Sequence, residues 1–309
     1  MRNRHALIAA AAVAAALSTP AMAHRQWLLP STTTVAGTSE YVTVDAAVSN
    51  DLFYADHVAI DPAQVKVWAP DGSEGKIENG AKGQYRGTFD VKIDKPGTWV
   101  IGMERSGVGG TFKVGAETWR VGMMRGRPGG APGAGGPGAQ RPMGAPPAGG
   151  PGGPGGPGGA PMKSVASVAE IPANATDIKL SETVSKNVIF VTADAPTKTA
   201  FAPKGKGLEF DPISHPSGLV SDEEAQFRFL VDGKPAAGVK VSVVPGGKKY
   251  RSAEEAQELT TGADGVLKVK WPVAGMYWLS ANLTDDKPSE ARATERRMSF
   301  TTTLEVVAP

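Results

Sequence analysis

The 309-residue chain contains no cysteine. That excludes disulfides, thiolate metal sites, a cysteine nucleophile and a lipidated cysteine anchor. Charge of one sign is also lacking. There are 33 basic and 31 acidic residues, and two of the basic ones, Arg2 and Arg4, precede Ala23, so the remainder is balanced. No bulk field is left to hold nucleic acid or an anionic membrane. Long apolar runs are scarce as well. Ala6 to Leu17 is too short to span a bilayer, and no later stretch reaches spanning length. Direct membrane insertion of the mature protein is therefore not expected. Enzyme signatures are missing: there is no Gly-x-Ser-x-Gly, no P-loop and no dinucleotide fingerprint. The acidic clusters Asp222-Glu223-Glu224, Glu254-Glu255 and Asp285-Asp286 read as solvated faces. The expectation is a protein that is not an enzyme, with no catalytic or organic-cofactor residues.

What is present begins with an export signal. Arg2, Arg4 and His5 give a basic start, Ala6 to Leu17 an apolar run, and Ala21-x-Ala23 the small residues that signal peptidase needs. Residues 1–23 are expected to be cleaved, leaving a soluble, periplasmic protein with His24 as its first residue.

After that the pattern is period two. Tyr41 to Val48 alternates as a half-buried strand should, and Val65-Lys66-Val67-Trp68 repeats this before the turn at Pro70-Asp71-Gly72. Phe89, Val91 and Ile93 share one face of the next strand, Pro96-Gly97 turns the chain into Thr98 to Met103, and Thr111 to Val114 follows. Gly126 to Met162 is nearly all Gly, Pro and Ala, with little to bury, and reads as disordered. Strands resume with Val184–Thr192, Ala225–Val231, Gly238–Val244, Val266–Trp271, Gly275–Ala281 and Ser299–Val307; Ser252 to Glu258 reads as a helical turn or two. Thr88 to Ile101 is echoed by Val266 to Leu279, each a strand, a Pro/Gly corner and an aromatic-centred strand, and Val65 to Trp68 by Val239 to Ser242. The fold class expected is all-β, two immunoglobulin- or transthyretin-like sandwiches joined through a Gly/Pro-rich segment. The boundaries drawn are 1–23 signal peptide, 24–122 first sandwich, 123–165 linker, 166–206 connecting strands that complete the first domain, and 207–309 second sandwich.

His24-x-x-Trp27-Leu28-Leu29-Pro30-Ser31, Gly207 to Pro216, Asp232-Gly233-Lys234-Pro235, Thr260 to Gly265 and the Ala274 to Trp278 corner resemble the periplasmic DUF4198 family. The resemblance covers most of the mature chain outside the Gly/Pro insertion. It implies a β-sandwich with a role in handling nickel or cobalt, in the company of a membrane transporter or a TonB-dependent receptor.

Three histidines remain after cleavage: His24, His57 and His215. Neutral imidazole is a good ligand for nickel, cobalt, copper or zinc. With an unperturbed pKa of about 7.7–8.0, a terminal α-amine gives up its proton to a metal at neutral pH. His24 and its own amine would supply two nitrogens, and another imidazole a third. That set is similar to the histidine brace of copper proteins. Periplasmic copper carriers pair the terminal His with Asp-x-His, where this chain has Asp56-His57 with no spacer. His24, His57, His215 and Asp56 are the candidate ligands, with Tyr54 and Asp51 near them in sequence. Met123, Met124, Met143 and Met162 offer thioethers suited to Cu(I), but no dense motif. The leading reading is a transition-metal carrier or buffer; the alternative is a transthyretin-like interaction module that binds an outer-membrane receptor or surface polymer. A copper oxidase of polysaccharides ranks third, since nothing besides His24 points to a polysaccharide.

Overall fold

The computed structural model describes residues 24–122 and 162–309. The expected signal segment, and the Gly/Pro tract through residue 161 with Met123, Met124 and Met143, lie outside the described residues. In chain order the strands are β1 (Arg25–Pro30), β2 (Thr34–Val35), β3 (Glu40–Ser49), β4 (Val58–Ala59), β5 (Lys66–Trp68), β6 (Glu78–Lys82), β7 (Gly87–Ile93), β8 (Gly97–Val114), β9 (Glu117–Val121), β10 (Ser164–Val165) and β11 (Thr176–Ala193). They continue with β12 (Leu208–Pro212), β13 (Glu224–Val231), β14 (Lys234–Pro235), β15 (Lys240–Pro245), β16 (Gln257–Thr260), β17 (Val266–Lys270), β18 (Gly275–Asp285) and β19 (Glu295–Val306). Among the described residues the remaining regular structure is short 3-10 turns. The chain forms two compact units.

The larger unit comprises residues up to 104, 186–282 and 299–309. One of its sheets runs β1-β3-β7-β6, with β4 beside β3, and another β12-β13-β14, with β17 beside β13. Between them, β8-β11-β19-β18-β15-β16 form a sheet that also takes β5 on β8 and β2 on β11. Side-chain alternation gives this sheet two apolar faces. On one face Ile189, Val191 and Ala193 of β11, with Trp99 and Ile101 of β8, close a core with Leu28, Val42, Val44, Phe89 and Val91 of the first sheet. On the other, Phe190 of β11 and Phe300 of β19 stack on Phe210 of β12, with ring centroids 5.9 and 4.9 Å apart. The two sandwiches thus lie on opposite faces of one shared sheet.

The internal echo of the sequence is an echo of topology. β7 crosses at Pro96-Gly97 into β8, and β17 crosses at the Gly275 corner into β18; each crossing passes from an outer sheet to the shared one. Both corner glycines have positive φ, 115° and 146°. Each inner strand then pairs antiparallel with the echoed segment, Val67 opposite Ile101 on β5 and Val243 opposite Leu279 on β15.

The smaller unit comprises Arg105–Ser185 and Leu283–Met298. Its core gathers Phe112, Val121, Ile171, Leu180 and Ala293. β9 turns back on β8, with Trp119 opposite Phe112, and β10 adds to β9 in parallel. The glycines Gly107, Gly109 and Gly110 do not interrupt β8, contrary to the break expected before Thr111. Gly110 has φ 149°, and a Cβ there would stand 2.0 Å from the Lys179 carbonyl oxygen, so its bare backbone permits a close crossing.

The helical turn expected over Ser252–Glu258 does not form. A 3-10 turn sits earlier, at Lys248–Tyr250, and β16 begins at Gln257. Glu255 has φ 58°, which a right-handed helix does not allow, and the Arg251 guanidinium donates to the carbonyls of Pro245, Gly246 and Glu254.

Candidate metal-ligand pair at the start of the first strand

His24 immediately precedes β1, and His57 immediately precedes β4. Both strands flank β3. Arg25 is opposite Ser49 on one side, and Val58 is opposite Val48 on the other. The backbones of the two histidines are therefore about two strand spacings apart, roughly 10 Å, and their side chains lean over the end of β3 between them. The rings meet: their centroids are 3.8 Å apart and their planes 12° from parallel. His24 is exposed and His57 half-buried.

The loop that carries His57 is tied at several points. Asn50 donates through its backbone N–H and its amide to the two oxygens of Asp56, at 3.0 and 3.3 Å. The Trp27 indole donates to Ser49 Oγ at 2.7 Å, and Ser49 Oγ donates to the Asp51 carbonyl at 2.6 Å. Phe53, at φ 63°, sets its ring edge-on to Trp27 at 5.7 Å. The Lys249 ammonium lies 4.2 Å from the Tyr54 ring centroid, and Lys248 pairs with Asp51 at 3.7 Å. On the strand side, Arg25 donates to both oxygens of Glu254 and stacks over Trp278 at 5.2 Å. The Arg25 hydrogen bond holds the Glu254 carboxyl below its ordinary value. Trp278 in turn donates to the Gln26 carbonyl at 3.0 Å. The first residue of β1 is thus fixed from two directions.

Of the four candidate ligands, the structure brings together His24 and His57. Asp56 is adjacent in sequence, but both its oxygens are engaged in closing the loop on Asn50, so it acts on His57 by shaping the backbone. His215 belongs to a different neighbourhood. Its Nδ1 accepts from the Ser217 backbone N–H at 3.2 Å and lies 2.8 Å from Ser217 Oγ. Its Nε2 lies 3.2 Å from Thr98 Oγ1 and 3.3 Å from the Thr197 carbonyl. With Nδ1 an acceptor, Nε2 carries the proton and donates. Phe201 meets the ring edge-on at 5.5 Å. Both nitrogens are in use, and burial chiefly, with Lys198 adding to it, pushes the His215 pKa down. His215 caps the 3-10 turn at Pro216–Gly218 and ties it to Thr98 of β8. Among the described residues, no three of His, Asp and Glu are grouped as a metal would need.

The donor chemistry of the pair can be tested against a metal. An imidazole lone pair lies in its ring plane, and metal–nitrogen bonds are about 2.0–2.1 Å. Two rings stacked face to face cannot both aim at one ion, so chelation requires one of them to turn about its side-chain torsions. His24 is exposed and able to do so. Its α-nitrogen is a peptide nitrogen while residue 23 precedes it, and only cleavage after Ala23 would free it as an amine donor. With that cleavage and one ring rotation, the pair fits a three-nitrogen set of two imidazoles and an amine.

A two-sandwich β-protein with a paired-histidine edge is the class that these features define. A family model described as a domain of unknown function, DUF4198, matches residues 21–285, and the chain belongs to that family. No curated protein matches the chain. Among solved structures, the chain is similar to the D0-D1 domain of Intimin, at 12% identity over 90% of this chain and 97% of that one, with a TM-score of 0.19. It is also similar to trypsin-activated alpha-2-macroglobulin from Escherichia coli, at 12% identity over 92% of this chain and 16% of that one, TM-score 0.22. A marsupial T cell receptor is 9% identical over 92% of this chain and 74% of its own, TM-score 0.18. Superpositions of that quality say nothing about a site.

Proposed function

We propose that the mature protein is an exported, non-enzymatic carrier that binds one transition-metal ion, nickel, cobalt or copper, through the His24 α-amine, the His24 imidazole and the His57 imidazole. The observation that carries this reading is the contact between the two rings, delivered by the starts of two strands that flank β3. Nitrogen ligands of this kind suit these ions, and an open coordination sphere suits release to an acceptor. The balanced charge and the exposed position of His24 fit a periplasmic protein that hands metal to an uptake system, with a membrane transporter or TonB-dependent receptor as partner.

The test uses protein exported through its own signal, with the new N-terminus verified by intact mass. Nickel, cobalt, copper and zinc are titrated calorimetrically into wild type, a variant with one extra residue before His24, His57→Ala and His215→Gln. One tight site, destroyed by the extension, weakened at least tenfold by His57→Ala and unchanged by His215→Gln, supports the proposal. Binding that survives the extension and His57→Ala overturns it.

A further inference from the structure

A concavity lies away from the histidine pair, where the Phe190-bearing face of β8 and β11 meets β12 and the 3-10 turn at Thr199–Phe201. It is a cleft of about 430 Å³, within the size range of small-molecule sites. Its apolar wall is formed by Trp68, Phe190, Phe201 and Phe210. Phe190 and Phe201 meet at 4.7 Å between centroids, and Phe190 and Phe210 are nearly parallel, at 19°. The cleft therefore offers ring surfaces already fixed in place by packing, which favours a flat apolar guest.

The lining is also charged, and its charges differ in how fully they are satisfied. Glu209 accepts from the backbone N–H groups of Lys204, Gly205 and Gly233. Asp71 is held by Lys95 at 2.6 Å and by Ser73. Glu104, in contrast, faces two ammonium groups, Lys186 at 4.0 Å and Lys204 at 3.6 Å. The Lys186 side chain is 16% exposed, so most of its stem is packed while its head has one distant, shared carboxylate. Lys204 also lies 5.8 Å from the Trp68 ring centroid, poised over the same wall. A guest bearing one negative charge would complete the Lys186–Lys204 pair while its body filled the aromatic wall.

We propose that this cleft is a binding site for a small planar apolar molecule carrying a single carboxylate, of the aromatic-acid class, with Lys186 and Lys204 receiving the carboxylate. The site is independent of the metal reading. It uses neither His24 nor His57, and a protein that binds no metal could still bind such an acid.

The experiment titrates 2-naphthoate and its neutral counterpart 2-naphthalenemethanol calorimetrically against the metal-free protein. Two variants are compared with wild type: Lys186→Met, which keeps the stem and removes the charge, and Ala202→Trp, which places bulk on an exposed cleft residue. Thermal unfolding checks that each is folded. The expected result is one saturable site that prefers naphthoate by about tenfold, the value of one charge-assisted hydrogen bond. Lys186→Met should reduce that preference, the Lys204 ammonium remaining, without changing affinity for the alcohol, and Ala202→Trp should weaken both ligands at least tenfold. No saturable binding of naphthoate at millimolar concentration, equal affinity for acid and alcohol, or binding unaffected by Ala202→Trp in folded protein would overturn the assignment.

Discussion

Gly246→Ala should damage the histidine pair without touching either histidine. A Cβ on Gly246 would stand 2.6 and 2.9 Å from two ring carbons of Phe53 and 3.1 Å from the Met276 carbonyl oxygen. Carbon–carbon contacts need about 3.5–4.0 Å, so the Phe53 ring must retreat by close to 1 Å. It has little room. Its backbone sits at φ 63°, a region that costs a non-glycine residue about 1–3 kcal/mol, and its ring is packed edge-on against Trp27. Phe53 is four residues before His57 in the loop that Asn50 and Asp56 close. Overpacking of this kind costs about 1–3 kcal/mol. Phe53→Ala alone should cost about 2 kcal/mol, roughly half the loss for a fully buried Phe, since Phe53 is half-buried. In the double variant the clash is gone, so the two losses should not add. The assay is a double-mutant cycle by urea denaturation, with metal titration of each protein. A coupling of at least about 1 kcal/mol toward stability, and weaker metal binding in Gly246→Ala, are expected. Simple additivity within about 0.3–0.5 kcal/mol would refute the view that Gly246 is small to admit Phe53.

Thr303→Val should raise stability by about 1 kcal/mol in chemical denaturation, because Thr303 is 2% exposed and its hydroxyl has no hydrogen-bond partner. Gly110→Ala should lower stability by more than about 2 kcal/mol, since its Cβ would be driven into the Lys179 carbonyl and its φ is 149°; a loss below about 0.5 kcal/mol would show that the two strands separate easily. His215 has a folded pKa below its unfolded value, so the unfolded chain binds the extra proton first. Its contribution to stability is full above the unfolded value of about 6.5, falls as pH drops below that, and levels off beneath the folded value. Denaturation midpoints measured from pH 8 to 5 should therefore decline less steeply in His215→Gln than in wild type.

Much of the fold was legible because the second sandwich repeats the punctuation of the first. The alternation in Val266–Lys270 survives as β17, whose buried positions fall every second residue, and that in Tyr41–Val48 survives in β3 as far as Ala46, after which Ala47 and Ser49 are the buried positions. The Pro96-Gly97 and Gly275 corners mark the two crossings into the shared sheet. Period-two patterning reports one buried face, so it could not reveal that β11 is covered on both faces where the sandwiches meet. Val188, Ile189, Phe190 and Val191 are all buried, and such a run states only that the strand is interior. Strand length was obscured by glycine. Of the glycines that suggested a break in β8, Gly110 is the one whose missing Cβ lets a neighbouring backbone approach closely, while a Cβ on Gly107 would meet open space.

The site was legible in part, and the division follows from what each histidine's neighbours demand. The sequence distance between His24 and His57 carries no sign of contact; the two meet because each begins a strand that flanks β3, a fact of register rather than of motif. His215 carried a local signal that pointed the other way. A histidine followed by Pro216 and Ser217 can accept the Ser217 N–H through Nδ1 and so cap the turn it precedes. That accounts for one nitrogen within three residues of sequence, and Thr98 and the Thr197 carbonyl take up the other from across the fold. A ligand needs a nitrogen left over. His24 is exposed at the start of β1 and its ring is not tied down in this way, and a sequence motif that counts histidines cannot tell an uncommitted imidazole from a spent one.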